Sequence, residues 1–378
     1  MVRDWDARAG CSAAVGVTQG LEAAMSDYSD MRILVLRENW LGCTGLSAFN
    51  ACLRAGCQIG SISEGDYIPS HSGTFFARAV TRLMRPLTVH EFNKALLKLT
   101  MDVKPHLFLA VKGPYIQAKT LRAMRGAGTC LYCFFPDLSF TASGPYLPAA
   151  VKEYDWIFTT KSFGPRDLKT RFGIANSSYL PHAFDPQVHR PRRLGREEQP
   201  RYACDVSFIG TFSLRKAAIL EELVRHRPAL RLKVWGNRWE RLAINSPLRK
   251  HVMFRAATGI EYAMAISGTR VNLGLLQEAI PGAPSGDQIT SRTFHIPASG
   301  GLMLHERTDD LLEIFREDES CVCFSGVDEM AKKIDDLLAD ESTRNRIAAR
   351  GRDVVEQAHS WDHRARTIVD HYMQRRAL

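Results

Sequence analysis

The chain has 378 residues, of which 45% are hydrophobic and 24% charged, with a formal net charge of +9 at pH 7. This length indicates two domains, and the composition excludes a largely disordered chain. No run reaches the ~20 apolar residues of a membrane helix and no signal peptide is recognisable, so we expect no transmembrane segment. The positive charge fits an anionic ligand, an acidic membrane surface or nucleic acid, and equally a solvated basic surface.

The predicted elements begin abruptly at Met31. Residues 1–30 show little periodicity and predict a flexible extension, or a start codon assigned too early, with an ordered helix at about 19–25 as the alternative. From Met31 onward, strand-like and helix-like segments alternate, which is typical of a parallel sheet with helices on its faces. The predicted strands are 32–36, 58–63, 106–111, 130–135 and 156–160, and the predicted helices are 46–55, 70–84 and 88–99, the last two forming a basic insertion.

A stretch rich in proline and charge then breaks the alternation. It predicts a linker at 191–200 between a domain at 31–190 and a second domain at 201–360. A second alternation follows the linker. Its predicted strands are 205–209, 230–235, 270–275, 302–304 and 321–324, and its predicted helices are 213–226, 259–267, 290–298, 310–316, about 330–338, 343–350 with Gly351 as a left-handed cap, and 361–373.

The nine cysteines are scattered and mostly lie within apolar runs. This pattern predicts reduced, buried thiols in a cytoplasmic protein, because disulfides belong to oxidising compartments. Cys130 and Cys133 have the C-x-x-C spacing, but they lie within a strand-like run and no second pair accompanies them. We therefore predict no metal site there.

The motif at 206–216 joins a strand to a helix through Gly210. A glycine at this point allows a ligand to approach the backbone closely, and Ser213 can cap the helix that follows. Arg215 and Lys216 lie in the first turn, where cations oppose the helix dipole unless an anion neutralises them. The motif therefore favours a phosphate-facing role over a solvated pair, and it leaves open which of the two cations contacts the phosphate.

A second motif, at 290–304, combines a short helix, two glycines and an apolar strand. Thr290 and Ser291 offer hydroxyl and backbone donors at the helix start, where the dipole attracts anions. Arg292 can grip phosphate oxygens and stabilise a leaving diphosphate without a metal ion. The alternative is that Arg292 is an ordinary surface residue of the helix.

Together with the closing segment at 359–365, these motifs resemble the C-terminal half of GT-B glycosyltransferases of the glycosyltransferase family 1 type, and most of all the CgeB-like branch. The resemblance implies two doubly wound Rossmann-like domains facing across a cleft. It also implies that the last helix, 361–378, packs back on the first domain. Related enzymes carry two acidic residues eight positions apart, one near the sugar and one on the ribose. Here Asp287 and His295 stand at that spacing, so a neutral imidazole would have to accept the ribose hydrogen bond.

The remaining candidates lie at strand ends and at the crossover between domains. Glu38 and Asp137 are candidate acid/base groups for the acceptor. The resemblance implies Asp137 because the family often has an acidic residue after this strand. His182 would contact the donor or pack in the hinge. Trp235 would stack on the nucleobase or belong to the core.

The sequence thus predicts a cytoplasmic glycosyltransferase, hexosyltransferase-like, that lies free in solution or peripheral to the inner face of the membrane. It would use a nucleotide-diphosphate sugar, with a UDP-sugar as the favoured donor, and would need no metal or other cofactor. Its acceptor would be a hydroxyl of a glycan, a lipid at the membrane surface or a small molecule. A transferase acting on hydroxylated DNA bases and a non-catalytic basic nucleic-acid-binding protein are the alternatives.

Overall fold

The computed structural model describes residues 28–69 and 75–377, and for residues 75–78 the backbone alone. The strands of the described residues form two separate parallel sheets, one with six strands and one with five. The strands are β1 Arg32–Leu36, β2 Gln58–Ile62, β3 Leu107–Val111, β4 Cys130–Phe135, β5 Trp156–Thr159, β6 Ser177–Tyr179, β7 Cys204–Ile209, β8 Leu232–Trp235, β9 Thr269–Gly274, β10 Met303–Glu306 and β11 Val322–Phe324.

Most α-helices of the described residues connect successive strands, as parallel pairing requires, and the last three follow β11. The helices are α1 Thr44–Arg54, α2 Phe75–Val103, α3 Ala118–Gly126, α4 Leu147–Ala150, α5 Gly164–Phe172, α6 Gln199–Tyr202, α7 Leu214–His226, α8 Gly259–Ser267, α9 Arg292–Ala298, α10 Asp309–Leu312, α11 Val327–Ala339, α12 Glu341–Ala358 and α13 Trp361–Ala377.

The first sheet has the order β2-β1-β3-β4-β5-β6 and the second the order β11-β10-β9-β7-β8. The strands of both sheets pair in parallel, with β1 between β2 and β3, and β9 between β7 and β10. Buried side chains cover both faces of each sheet, which explains why the central strands read as continuous apolar runs. The predicted class, two doubly wound α/β units, is confirmed.

The last helix, α13, returns to the first sheet. Its side chains Trp361, Ile368 and Tyr372 share a core with β1, β3 and β4. Arg54 of α1 forms an ion pair with Asp362 at 2.6 Å, and Tyr28 donates a hydrogen bond to Asp370 at 2.6 Å. The return predicted for the end of the chain is therefore present. The predicted extension and its helical alternative fall on residues 1–27, outside the described residues.

Two predicted boundaries are wrong. The helices predicted at 70–84 and 88–99 are one helix, α2, from residue 75 onward, while 70–74 lie outside the described residues. Pro86 lies inside α2, at a point where the helix is exposed, so water can satisfy the carbonyl that proline leaves unpaired. The helix predicted to end at Gly351 continues to Ala358. A Cβ at Gly351 would lie 2.5 Å from the Ser320 carbonyl oxygen, so this glycine serves close packing rather than capping.

The carboxyl ends of the two sheets face each other, which places the cleft between them. The loop after β1 reaches the start of α8, where Leu41 and Gly42 lie against Gly259. The loop between β9 and α9 reaches the first domain, where Gly282 contacts Thr141 and accepts a hydrogen bond from Arg171. No helix of the described residues is long and apolar enough to cross a bilayer.

Candidate active site

Gly210 brings the end of β7 against neighbouring groups that leave no room for a side chain. A Cβ at this position would lie 2.6 Å from the Phe208 ring and 3.1 Å from Nη1 of Arg292. A Cβ on Gly236, whose φ is +148°, would lie 1.9 Å from the Gly210 carbonyl oxygen. The two strand ends therefore meet backbone to backbone, and the turn after β7 lies directly beside the Arg292 guanidinium.

Lys216 reaches the same turn from α7. The predicted cap is confirmed, since Ser213 Oγ accepts the Lys216 N–H at 3.3 Å and the helix begins at Leu214. Lys216 Nζ donates to Gln277 Oε1 at 2.8 Å and to the Thr211 carbonyl at 3.5 Å. Burial and the charge of Arg292 lower the pKa of Lys216 to about 8. Lys216 and Arg292 are therefore two neighbouring cations at one turn.

Neither cation forms an ion pair in the part of the chain that the structure describes, although the more distant charges of Asp287 and Glu306 act on both. Arg292 Nη2 donates to the Leu275 carbonyl at 2.6 Å and the guanidinium lies over the Phe208 ring, but no carboxylate oxygen lies within 4.0 Å of Arg292 or Lys216. Burial lowers the pKa of Arg292. Two like charges held together out of water are costly unless an anion joins them.

Three buried polar atoms close to this pair have no hydrogen-bond partner among the described residues. They are Thr290 Oγ1, Arg292 Nε and the Tyr262 hydroxyl. Tyr262 lies within electrostatic reach of Arg292, and Thr290 is two residues from it. Buried polar groups are nearly always paired in native proteins, so this concentration of unpaired donors indicates a place for a polar ligand.

Ser291 lies directly before α9, and its role as a donor stays a prediction. It precedes α9 with helical dihedral angles, and its side chain caps no backbone N–H. Its carbonyl oxygen instead accepts the N–H groups of Phe294 and His295. Its half-buried hydroxyl therefore remains as a donor next to Arg292.

Arg215 differs from Lys216 although the two are adjacent. Its guanidinium pairs with Glu306, with Nη1 3.1 Å from Oε1, and it also donates to the Leu276 carbonyl. The charge of Arg215 is thus already compensated by a carboxylate. Of the two cations that the sequence left undecided, Lys216 is the one without a carboxylate within 4.0 Å among the described residues.

Asp287 is engaged with the opposite domain. Its carboxylate lies 2.6 Å from Nζ of Lys161, and the two side chains are only 11% and 5% exposed. Lys161 follows β5 of the first sheet, so this buried ion pair joins the two halves of the molecule. Sequence reasoning missed Lys161, although its position just after a strand of the first sheet could have drawn attention to it.

His295 is held by the crossover between the domains. Its Nε2 lies 3.1 Å from the Ala183 carbonyl oxygen, so Nε2 carries the proton and only Nδ1 can accept a hydrogen bond. Its ring stacks on His189, with centroids 3.7 Å apart. Burial lowers the pKa of His295 to about 4, so the titration expected near the ordinary value moves well below neutral pH.

His182 and Trp235 occupy buried positions. His182 has a pKa well below its ordinary value because of burial and the charges of Lys161, His295 and Arg292, so its imidazole lies near these groups. Its carbonyl accepts a hydrogen bond from Arg364, which also binds the Pro181 carbonyl. Trp235 is fully buried in the core and presents no exposed face to a nucleobase; of the two roles left open, the core position is the one observed.

The first domain contributes a group of charged side chains at the carboxyl edge of its sheet. Asp137 pairs with Lys112 at 2.5 Å and accepts a hydrogen bond from Ser143 at 2.9 Å. Glu38 is exposed on the loop after β1. Glu64, which sequence reasoning missed, accepts the Tyr115 N–H at 3.2 Å, and burial together with Glu38 raises its pKa to about 7. Nothing in its sequence context distinguished it from an ordinary loop glutamate.

The described cysteines are all free thiols, and Cys130 and Cys133 lie on β4 without a second pair beside them. Among the residues that the structure describes, no three His, Cys, Asp or Glu side chains form a group that could hold a metal ion. That Cys130 and Cys133 bind no metal stays a prediction.

Comparisons with known proteins give a family match over part of the chain and several similar folds. Residues 215–370 match the family model described as glycosyl transferase-like. The fold is similar to that of sucrose-phosphate synthase from Thermosynechococcus elongatus, with a TM-score of 0.65, 15% identity, and coverage of 92% of this chain and 99% of that one. It is also similar to a glycosyltransferase from Rickettsia africae, with a TM-score of 0.63, 12% identity, and coverage of 91% and 98%.

A third similar structure is that of HepE from Anabaena in complex with UDP-glucose, with a TM-score of 0.61, 11% identity, and coverage of 91% of this chain and 100% of that one. No curated protein sequence matches the chain. The two sheets and these likenesses define the GT-B fold. The matched segment identifies residues 215–370 as a glycosyl transferase-like domain. The likeness to the CgeB-like branch stays a prediction.

Proposed function

We propose that this protein transfers a sugar from a nucleotide-diphosphate sugar to an acceptor hydroxyl and binds the diphosphate between Lys216 and Arg292. The observation that carries the proposal is the meeting of these two cations at one glycine turn, without a carboxylate partner among the described residues. A diphosphate supplies the missing negative charge. It also offers acceptor oxygens to the unpaired Arg292 Nε.

The same arrangement supports the chemical step. As the sugar leaves, negative charge develops on the diphosphate, and positive groups fixed beside it lower the energy of that state. Lys216, Arg292 and the hydroxyl of Thr290 would fulfil this role without reorganising. We therefore propose that transfer is independent of divalent metal ions, since these groups can carry the charge that a metal would otherwise neutralise.

The donor that we propose is a UDP-sugar. The similar HepE structure was solved in complex with UDP-glucose, which supports this choice. In this arrangement Asp287 would lie near the sugar and His295 near the ribose. His295 could then accept a ribose hydrogen bond only through Nδ1, because Nε2 donates to Ala183.

The acceptor hydroxyl would bind at the charged edge of the first sheet. Glu38, Glu64 and Asp137 lie at that edge, and one carboxylate of the three would take the proton of the attacking hydroxyl. Glu64 suits this task because its pKa of about 7 balances proton affinity against availability of the ionised form. Asp137 is the second candidate, already held by Lys112 and Ser143.

A thermal-shift screen against UDP, GDP, dTDP and their sugars tests the donor, because a ligand that binds the folded state raises the melting temperature. We expect the largest shift with UDP or a UDP-sugar, unchanged by a chelator. Arg292→Ala should lose this shift. A shift that needs manganese would contradict metal independence, and equal shifts in wild type and Arg292→Ala would contradict the proposed diphosphate position.

A further inference from the structure

Helix α2 changes character along its length. Between Val89 and Thr100 it packs on the first sheet, with Val89, Phe92 and Leu96 fully buried in the core. Before Pro86 the helix is mostly exposed from residue 79 onward. The N-terminal part of α2 therefore extends beyond the surface of the domain.

The exposed part carries a row of large apolar side chains. They are Val80, Leu83, Met84 and Leu87, exposed by 44%, 80%, 44% and 53%, and we call them the α2 stripe. Their spacing of i, i+3, i+4 and i+7 places them on one face of a helix. Leu214 and Ile244 are also exposed but stand alone in sequence, which is normal for a protein surface.

The α2 stripe lies on the side of the helix opposite to the core. At about 100° per residue, the stripe points roughly 180° away from the direction shared by the buried Val89, Phe92 and Leu96. Arg82 and Arg85 fall on the inner side instead, and Arg85 stacks on the Tyr115 ring. A surface helix normally turns its apolar side inward, so this inversion leaves apolar surface in water unless another body covers it.

The charges around the stripe indicate what that body is. Between residues 75 and 98 the sequence has five lysines and arginines and one acidic residue, Glu91. Lys94 and Lys98 are exposed and continue the outer face beyond the stripe, with Glu91 between them and Leu87. An apolar stripe with basic residues along and behind it is the composition of helices that lie in a bilayer interface.

We propose that the α2 stripe docks this protein on an anionic lipid bilayer. The four apolar side chains would enter the boundary between headgroups and acyl chains, while Lys94 and Lys98 contact the lipid phosphates. A nucleic acid fits less well, because its phosphates seek cations and the centre of the outer face is apolar. The proposal concerns α2 and involves neither Lys216 nor Arg292, so it stands or falls independently of the donor site.

Flotation with lipid vesicles tests this docking on the full-length protein. We expect binding to vesicles of phosphatidylcholine with phosphatidylglycerol and weaker binding to phosphatidylcholine alone. Leu83→Ser/Leu87→Ser should reduce binding to the anionic vesicles by about tenfold or more. Lys94→Gln/Lys98→Gln should reduce it by roughly fivefold per charge and remove the preference for anionic lipid.

The matched control is Leu214→Ser/Ile244→Ser, which removes two apolar side chains elsewhere that are at least as exposed and should bind as wild type does. Every variant should keep the wild-type melting temperature and the nucleotide-induced shift. Leu83→Ser alone serves if the double variant does not fold.

Three results would overturn the proposal. The first is no binding of wild type to either vesicle, including the case in which it binds duplex DNA instead. The second is equal binding by wild type and the stripe variant. The third is a lipid-free dimer that Leu83→Ser/Leu87→Ser dissociates, since a second copy would then cover the stripe.

Discussion

Lys161 and Lys216 are both buried lysines at the cleft, and they differ in one respect. Lys161 has a carboxylate, Asp287, at 2.6 Å, while Lys216 has an amide, a carbonyl and the neighbouring charge of Arg292. A buried lysine with its counter-charge joins the two halves of the protein. A buried lysine without one, placed beside an arginine, is where we expect an anion to bind.

The largest effect should follow from breaking the compensated pair. Lys161→Met or Asp287→Asn leaves a buried group without its partner, which should lower the free energy of unfolding by about 3–5 kcal/mol. Urea denaturation measures this change. Lys161→Met/Asp287→Leu should cost less than either single change, because no charge is then stranded. If both single variants are as stable as wild type, the pair is not the structural link described above.

Replacing Lys216, which has no carboxylate within 4.0 Å among the described residues, should affect stability in the opposite direction. Lys216→Met removes one of two neighbouring like charges at a similar side-chain volume, so the unfolding free energy should hold steady or rise. Arg292→Ala also removes the hydrogen bond to the Leu275 carbonyl and the contact with the Phe208 ring, so its stability is measured alongside its affinity. UDP affinity should fall by at least about tenfold, from the loss of a charge-assisted contact of about 1.5–3 kcal/mol. Titration calorimetry measures the affinity. Arg215→Ala is the matched control and should change affinity less, because Glu306 already engages Arg215. A reversed order of effects would assign the phosphate to Arg215.

The pH dependence of donor binding should also reflect the lowered pKa of Lys216. Lys216 must be protonated to bind phosphate, and its pKa is lowered to about 8, so UDP affinity should decline as the pH rises through 8. Lys216→Arg keeps its charge at higher pH and should remove this decline. His295 stays neutral from pH 5.5 to 8, since its pKa is about 4, and should add no trend there. A decline that persists in Lys216→Arg would assign the titration to another group.

The smallest effect on stability should come from a change in the partly exposed ion pair Lys112–Asp137. Solvent screens this pair, whose side chains are about one-third exposed, so Asp137→Asn should change the unfolding free energy by less than ~1 kcal/mol. A large loss of turnover in this stable variant would therefore report a direct role for Asp137. If Glu64→Gln alone abolishes the limb of the pH–rate profile near 7, Glu64 is the proton acceptor instead.

Local sequence patterns predicted most of the fold because each acts over a few residues. The apolar run 130–135 became β4 at the predicted bounds, and Ser213 caps α7 as expected. The short polar strand β6, Ser177–Tyr179, was missed because it lacks the apolar run that marks a buried strand. Gly351 was misread because a capping glycine and a close-packing glycine are the same residue in sequence.

The sequence by itself determined the α/β class, the two repeating halves and the phosphate-type motifs around Gly210 and Arg292. It could not determine which cations are compensated, because a counter-charge arrives from far along the chain: Asp287 from 126 positions beyond Lys161, and Glu306 from 91 beyond Arg215. Only the three-dimensional fold shows that Lys216 lies near Arg292 without a carboxylate within 4.0 Å among the described residues, and that the apolar side of the N-terminal part of α2 points outward. Both depend on what lies opposite a side chain in space, and local periodicity does not encode that.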